Sequence, residues 1–186
     1  MTKVISFGAY IADALGWPFE AVPAGQQLAF LKRIKFTVAG TAASPAMNLA
    51  KLGHDVTAVG RIGDDSIGQF LRTTLTGYGA DTSRLIVDPD LQTSSSLLPI
   101  RPDGSRPALH VIGANAALNE NDVPWDLVTP GTIFHMGGAF GLPGLDGEPM
   151  ARVLAEAKQR GAVVTCDFLM SPRPDAQDII GPSLPY

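Results

Sequence analysis

Short apolar runs closed by glycine alternate in this chain with segments whose apolar residues recur at helical spacing. Residues 4–7, closed by Gly8, have the continuous apolar character of a strand covered on both faces of a parallel sheet. Ser44-Pro45 predicts a helix start, serine as the N-cap and proline at the first helical position. That helix carries Met47, Leu49, Ala50 and Leu52 and stops at Gly53, a C′ glycine. A strand over 55–60 follows. Asp64-Asp65-Ser66 then caps a second helix, with Ile67, Phe70, Leu71 and Leu75 on one face and Gly77 and Gly79 at its end. The alternation resumes with a strand over 132–136 that runs into Gly137-Gly138-Ala139-Phe140-Gly141. An amphipathic helix over 147–160 carries Met150, Val153, Leu154 and Ala157 and ends at Gly161. Residues 162–166 predict another buried strand, with Asp167 at its carboxyl end. The pattern predicts an α/β fold, a parallel sheet covered by helices.

Two stretches break the alternation. Residues 19–38 are short apolar pieces interrupted by Pro23 and Gly25, without a helical period. Residues 91–113 read as a hairpin: Leu97 to Ile100, a loose turn at Asp103-Gly104, then Ala108 to Ile112. Two such excursions predict a flap beside the main sheet. After Ser171 the chain is proline-rich and no element is predicted.

At 186 residues, 45% hydrophobic and 17% charged, the chain can build a sizeable core and reads as one domain. Its net charge is −4, and its densest cationic cluster is Lys32, Arg33 and Lys35. Without a basic stripe, no nucleic-acid partner is expected, and the mild acidity fits a cytoplasmic protein handling small molecules. No apolar run approaches the ~18 residues of a membrane helix, and the N-terminus has no leader pattern. No membrane partner is expected. The single cysteine, Cys166, sits in an apolar run and reads as a buried small hydrophobe.

Ligands of open α/β sheets bind beyond the carboxyl ends of the strands. Asp13 follows the first strand by a few residues and is either a turn carboxylate or a ligand-binding one. Ala39-Gly40-Thr41-Ala42-Ala43-Ser44 leads small residues into a helix N-terminus, where free N–H groups favour oxygen acceptors. In Gly60-Arg61-Ile62-Gly63-Asp64-Asp65 the paired carboxylates are explained by capping more cheaply than by a metal. Gly137 to Gly144 follows a strand, yet its glycines miss the dinucleotide fingerprint and Pro143 interrupts the helix start. No phosphate-binding glycine loop ending in Lys-Ser or Lys-Thr is present, and no Gly-x-Ser-x-Gly elbow. His54, His110 and His135 lack metal-ligand spacing, and His135 reads as a satisfied core histidine.

The span from Ala39 to Gly68 resembles the ribokinase-like (PfkB) carbohydrate kinases. Ala39, Gly40, Ala42, Ala46, Gly53 and Gly63 fill that family's first signature, and Gly63-Asp64-Asp65-Ser66-Ile67-Gly68 matches its continuation. Gly8-Ala9-Tyr10-Ile11-Ala12-Asp13 looks like the family's first strand and sugar-binding aspartate. The hairpin with Gly113-Ala114-Asn115-Ala116-Ala117-Leu118 looks like its lid strand and the Gly-Ala-Asn that follows. The segment from Lys158 to Asp167 looks like its Ala-Lys-x-x-Gly helix end and next strand. Ser44 stands where the family usually has Asn, and Gly138 where ribokinase has Glu.

The resemblance implies ATP- and Mg²⁺-dependent phosphorylation of a sugar hydroxyl, with Asp13, Gly40, Thr41, Ser44 and Gly138 around the sugar. Residues 1–186 are expected to be the N-terminal part of one ribokinase-like domain, incomplete at the C-terminus, with lid segments at about 14–38 and 91–112. The family's Gly-Ala-Gly-Asp motif is absent, so no catalytic residue is expected here, little of the ATP and Mg²⁺ region, and no turnover by this chain alone. A homodimer through the lid is a further expectation. The alternatives are a non-catalytic sugar-binding or dimerisation fragment, and a nicotinamide-dependent oxidoreductase, disfavoured by the misfit of the Gly137 to Gly144 loop.

Overall fold

The computed structural model describes residues 2–169 and 174–186. Up to the first hairpin the chain forms β1 (Lys3–Gly8), β2 (Ile11–Trp17), β3 (Arg33–Ala39), α1 (Ala43–Lys51), β4 (Asp55–Gly63) and α2 (Ser66–Gly77). It continues through β5 (Leu85–Asp88), β6 (Ser95–Pro99), β7 (Leu109–Val111), β8 (Ile133–Ala139), α3 (Glu148–Gln159), β9 (Val163–Phe168) and α4 (Ala176–Ile180). The main sheet runs β5-β4-β1-β8-β9, every pairing parallel. Strand alternation divides its residues between two cores. Ile5, Phe7, Phe134 and Met136 pack with Met150, Val153 and Leu154 of α3. Val4, Val56 and Ala58 pack on the other side with Ala43 and Ala46 of α1 and Leu71 and Leu75 of α2. This is the parallel, helix-covered sheet that the apolar runs predict.

A second, smaller sheet runs β3-β2-β6-β7 and mixes antiparallel with parallel pairs. It holds the two excursions of the sequence reading, but begins at Ile11, three residues before the expected segment at 14–38. Residues 12–16 pair on both sides, so Asp13 lies mid-strand, opposite Thr37 and Ser96, and not in a turn. The stretch over 19–38 is irregular only to Lys32; from Arg33 its polar–apolar alternation makes β3.

Other expectations need correction. Helix α1 starts at Ala43 with Ala42 at the cap and no side-chain cap bond, so Ser44 lies inside the first turn. The strand expected over 55–60 continues to Gly63, and β8 takes in Gly137, Gly138 and Ala139. β9 pairs only with β8, and five of its six residues are exposed. Cys166 is therefore exposed and not buried. Its sulfur still lines a groove with Ile180 and Leu184, and that desolvation, then the Asp167 charge, pushes the thiol up to about 11. Past the sheet, where no element is expected, α4 and a 3-10 turn over Gly181–Ser183 form; Ser171 and Pro172 lie outside the described residues. Among the described residues, no helix is long and apolar enough to cross a membrane.

Asp65 joins the two sheets. As the predicted N-cap of α2 it accepts from Gly68 N–H at 2.7 Å, and it also accepts from Thr93 N–H and the Thr93 hydroxyl, each at 2.7 Å. Thr93 Oγ1 accepts in turn from Gly63 N–H at 2.9 Å, fixing the end of β4. Burial works to raise the Asp65 carboxyl, but these bonds outweigh it and hold the group below the usual carboxylate value. Their stabilisation is complete above the unfolded pKa of about 3.9 and lost as pH falls through the lower folded value. Asp65→Ala is expected to cost about 2–3 kcal/mol in urea unfolding, one cap plus bonds to a charged acceptor. Asp65→Asn should flatten the acid side of the stability–pH curve.

Candidate functional site

The site builds outward from the carboxyl ends of β1 and β8. Gly8 has φ +139°, and a Cβ on it would lie 1.8 Å from Gly137 O, so the two strand ends approach as bare backbone. Ala9 N–H donates to Gly137 O at 2.8 Å, and the chain then turns through Tyr10 into β2. Asn115, buried, grips the Tyr10 peptide at both ends: Oδ1 accepts from Tyr10 N–H and Nδ2 donates to Tyr10 O, each at 3.3 Å. The Tyr10 hydroxyl donates to Ser6 O at 2.8 Å and accepts from Val59 N–H at 3.2 Å. Burial is the larger influence there and drives the phenol well above its usual ionisation range.

The loop from Gly40 to Ala43 is fastened to this turn residue by residue. Gly40 has φ +101°, and a Cβ there would meet Ala9 O at 2.4 Å. Ser44 N–H donates to Gly40 O at 2.9 Å and Ala43 N–H to Ala9 O at 3.2 Å. Ser6 Oγ donates to Ala42 O at 2.7 Å. His135 Nε2 lies 2.8 Å from Thr41 O, and Nδ1 lies 3.0 Å from Thr165 Oγ1. A carbonyl only accepts, so Nε2 carries the proton and the neutral ring's Nδ1 accepts from Thr165. His135 is hydrogen-bonded at both nitrogens as expected, but it is half-buried and lies outside both cores, so it is not the core histidine of the sequence reading. Thr41 Oγ1 differs from all of these: it is buried and has no hydrogen-bond partner.

Of the expected sugar-site residues, Gly40, Thr41 and Gly138 come together around Ala9, since a Cβ on Gly138 would meet Ala9 Cβ at 2.8 Å. Ser44 stands one step into α1, half-buried, its carbonyl accepting from Asn48 Nδ2 at 2.9 Å. Asp13 is set apart on the small sheet, two residues along β2 from Ile11, which pairs with Ala39 just before the loop. Of the amides at the start of α1, Ala43 and Ser44 spend theirs on backbone carbonyls and Pro45 has none, while Thr41 and Ala42 N–H meet no acceptor among the described residues. The Thr41 hydroxyl beside them is unpaired as well.

Asp65 is committed to capping, and among the described residues no three His, Cys, Asp or Glu come together as a metal site. The glycine run that starts at Gly137 in β8, which misses the dinucleotide fingerprint, is filled by the chain itself. Gly137 packs on the Thr41–Ala42 backbone, and Gly138 on Ala9 and Leu142. Neither Mg²⁺ nor a nucleotide phosphate fits the residues present there. The sequence reading missed Ser6 and His135 as fasteners of the loop and Asn115 as the grip on the Tyr10 turn. Ser6 was visible as the lone polar residue of an apolar strand, and Asn115 within its Gly-Ala-Asn motif.

A family model described as pfkB family carbohydrate kinase matches residues 1–183. Fructokinase-1 of Oryza sativa subsp. japonica is 27% identical over 97% of this chain and 53% of its own length. The structure of ribokinase from Giardia lamblia superposes with TM-score 0.77 at 18% identity, over 94% of this chain and 57% of that one. Fructokinase from Xylella fastidiosa with bound ATP superposes with TM-score 0.72 at 19% identity, over 98% and 57%. These likenesses show the ribokinase-like fold, and the chain spans about half the length of the proteins it matches. Asn115→Ala would leave both polar atoms of a buried peptide unpaired, and an unfolding titration should show a loss of about 2–4 kcal/mol.

Proposed function

The chain belongs to the pfkB family of carbohydrate kinases, and we propose that it supplies the sugar-recognising part of an ATP-dependent, cytoplasmic sugar kinase. The observation that carries this reading is the fastened Gly40–Thr41 loop, which holds one buried hydroxyl without a partner at the carboxyl end of a parallel sheet. An unpaired buried hydroxyl costs about 1–3 kcal/mol unless a ligand pairs with it. A sugar hydroxyl is a fitting partner, being both donor and acceptor.

In this reading Asp13 accepts hydrogen bonds from sugar hydroxyls and orients them. Gly40 and Gly138 let the sugar approach the backbone, Thr41 Oγ1 pairs with a hydroxyl, and Ser44 lines the floor. The small sheet acts as a lid, at about 14–38 and 91–112, that keeps water from the bound sugar. ATP, when bound, supplies the phosphoryl group, and Mg²⁺ its counter-charge. No residue described here seats either one, and no catalytic base is assigned.

A second reading, a homodimer through the small sheet, is favoured by its uncovered apolar face. Phe36, Leu97 and Leu109 are 65%, 58% and 64% exposed along an open groove of about 710 Å³. Sedimentation equilibrium should then give a dimer that Leu97→Glu converts to monomer.

Calorimetric titration with fructose and ribose tests the principal reading. Asp13→Asn should weaken binding about tenfold or more, one charged acceptor being lost. Thr41→Val should weaken it several-fold while leaving the sugar-free protein as stable or more stable. No binding of either sugar by the unaltered chain would overturn the reading.

A further inference from the structure

Among the described residues, two buried side-chain hydroxyls lack a hydrogen-bond partner: Thr41 Oγ1 in the fastened loop, and Ser183 Oγ, which has no assigned role. Ser183 belongs to the 3-10 turn after α4 and is 7% exposed. It lines a crevice of about 210 Å³, open to solvent, between α3, β9 and this turn. Ala139, Met150 and Leu154 of the core form the floor. β9 contributes Val164 and Cys166, and the C-terminal turn contributes Leu184. No charged side chain lines the crevice. The wall that carries Ser183 is held in place. Leu184 N–H donates to Gly181 O at 3.3 Å and Tyr186 N–H to Ser183 O at 3.1 Å. Lys158 Nζ donates to Pro185 O at 3.2 Å and moors the turn to α3.

The chemistry of the walls and their spacing both limit the occupant. A buried hydroxyl left unpaired carries a desolvation cost that a ligand's hydroxyl recovers, since each can donate to or accept from the other. The carbon surface around it favours an apolar body, and without a charged side chain nearby an ion would be desolvated with no partner. Size narrows the class further. An apolar cavity of about 150 Å³ holds benzene, whereas drug-sized ligands take about 300–1,000 Å³. A crevice of about 210 Å³ therefore suits a six-carbon ring with one small substituent.

We propose that this crevice is a binding site for a small uncharged ring bearing one hydroxyl, a phenol or an alicyclic alcohol. The ring lies on Met150, Leu154 and Val164, and its hydroxyl pairs with Ser183 Oγ. The proposal stands apart from the sugar-binding reading and uses none of its residues. Cys166, the single cysteine of the chain, lines the same crevice. A ring packed against its sulfur would shield it from an alkylating reagent, so the thiol reports occupancy.

The test is calorimetric titration of the full chain with phenol and with toluene, which has the same shape and no hydroxyl. Phenol should bind saturably, with Kd on the order of millimolar or tighter, and about tenfold or more tightly than toluene. At saturation it should slow alkylation of Cys166 by iodoacetamide about fivefold or more, measured near pH 8, where a small thiolate fraction reacts. Ser183→Ala should erase the preference for phenol over toluene. It should also leave the ligand-free protein as stable or more stable, since it deletes an unpaired hydroxyl. The site would be overturned by no saturable binding, or by phenol binding no tighter than toluene. Phenol binding that leaves Cys166 alkylation unchanged, or that keeps its preference in Ser183→Ala, would overturn it equally.

Discussion

The bare-backbone contact between Gly8 and Gly137 is the constraint on which the site depends. Any side chain at Gly8 would occupy the place of Gly137 O, so the ends of β1 and β8 could not close to the 2.8 Å bond from Ala9 N–H. With that contact made, Ala9 O is presented to Ala43 N–H, and the Gly40 turn fits beneath it. Ser6 and His135, on the same two strands, then reach consecutive carbonyls of the loop. One loop is thereby held from two strands by side chain and backbone alike. Its rigidity comes from the sheet and not from the loop's own sequence, which is nearly all small residues.

The two sheets differ in how strongly they are held. β1 is covered on both faces by separate cores, and its residues from Val4 to Phe7 are buried. The small sheet buries little: β7 is exposed throughout, and Ile34, Phe36, Leu97 and Leu109 are more than half exposed. Local opening is easiest where few apolar contacts are lost. The small sheet therefore opens locally at less cost than the fastened loop. Its tether at Asp65 and Thr93 joins backbone that leads into β6 to the start of α2.

The main sheet was legible because strands buried on both faces read as unbroken apolar runs, and because glycine marks where its helices stop. Asp65 as a cap was legible for the same local reason. Ser44 was not the cap because the helix begins earlier: Ala42 O already accepts from Ala46 N–H at 3.1 Å, an amide that a capping Ser44 would otherwise serve. The strand β2 was hidden because its glycine, alanines and one carboxylate carry no clear alternation. β9 was read as buried from its apolar content, but pairing on one side only leaves it largely exposed. The grip of Asn115 on Tyr10 joins residues 105 apart, and no local pattern announces such a bond. Within the candidate site, the small residues before α1 pointed to Gly40 and Thr41 and the family resemblance to Gly138, while the residues that fasten the loop became visible only in three dimensions.

His135 gives this arrangement a mechanical property. Its ring joins Thr41 O on one side to Thr165 Oγ1 on the other, so a rigid strut spans from the Gly40–Ala43 loop to β9 at the edge of the described sheet. A shift of β9 by as little as an ångström stretches one of these bonds past useful length. The loop cannot then keep its carbonyl pinned and its hydroxyl aimed independently of the sheet's edge. The position of β9 and that of the Thr41 carbonyl are thus tied through a single imidazole.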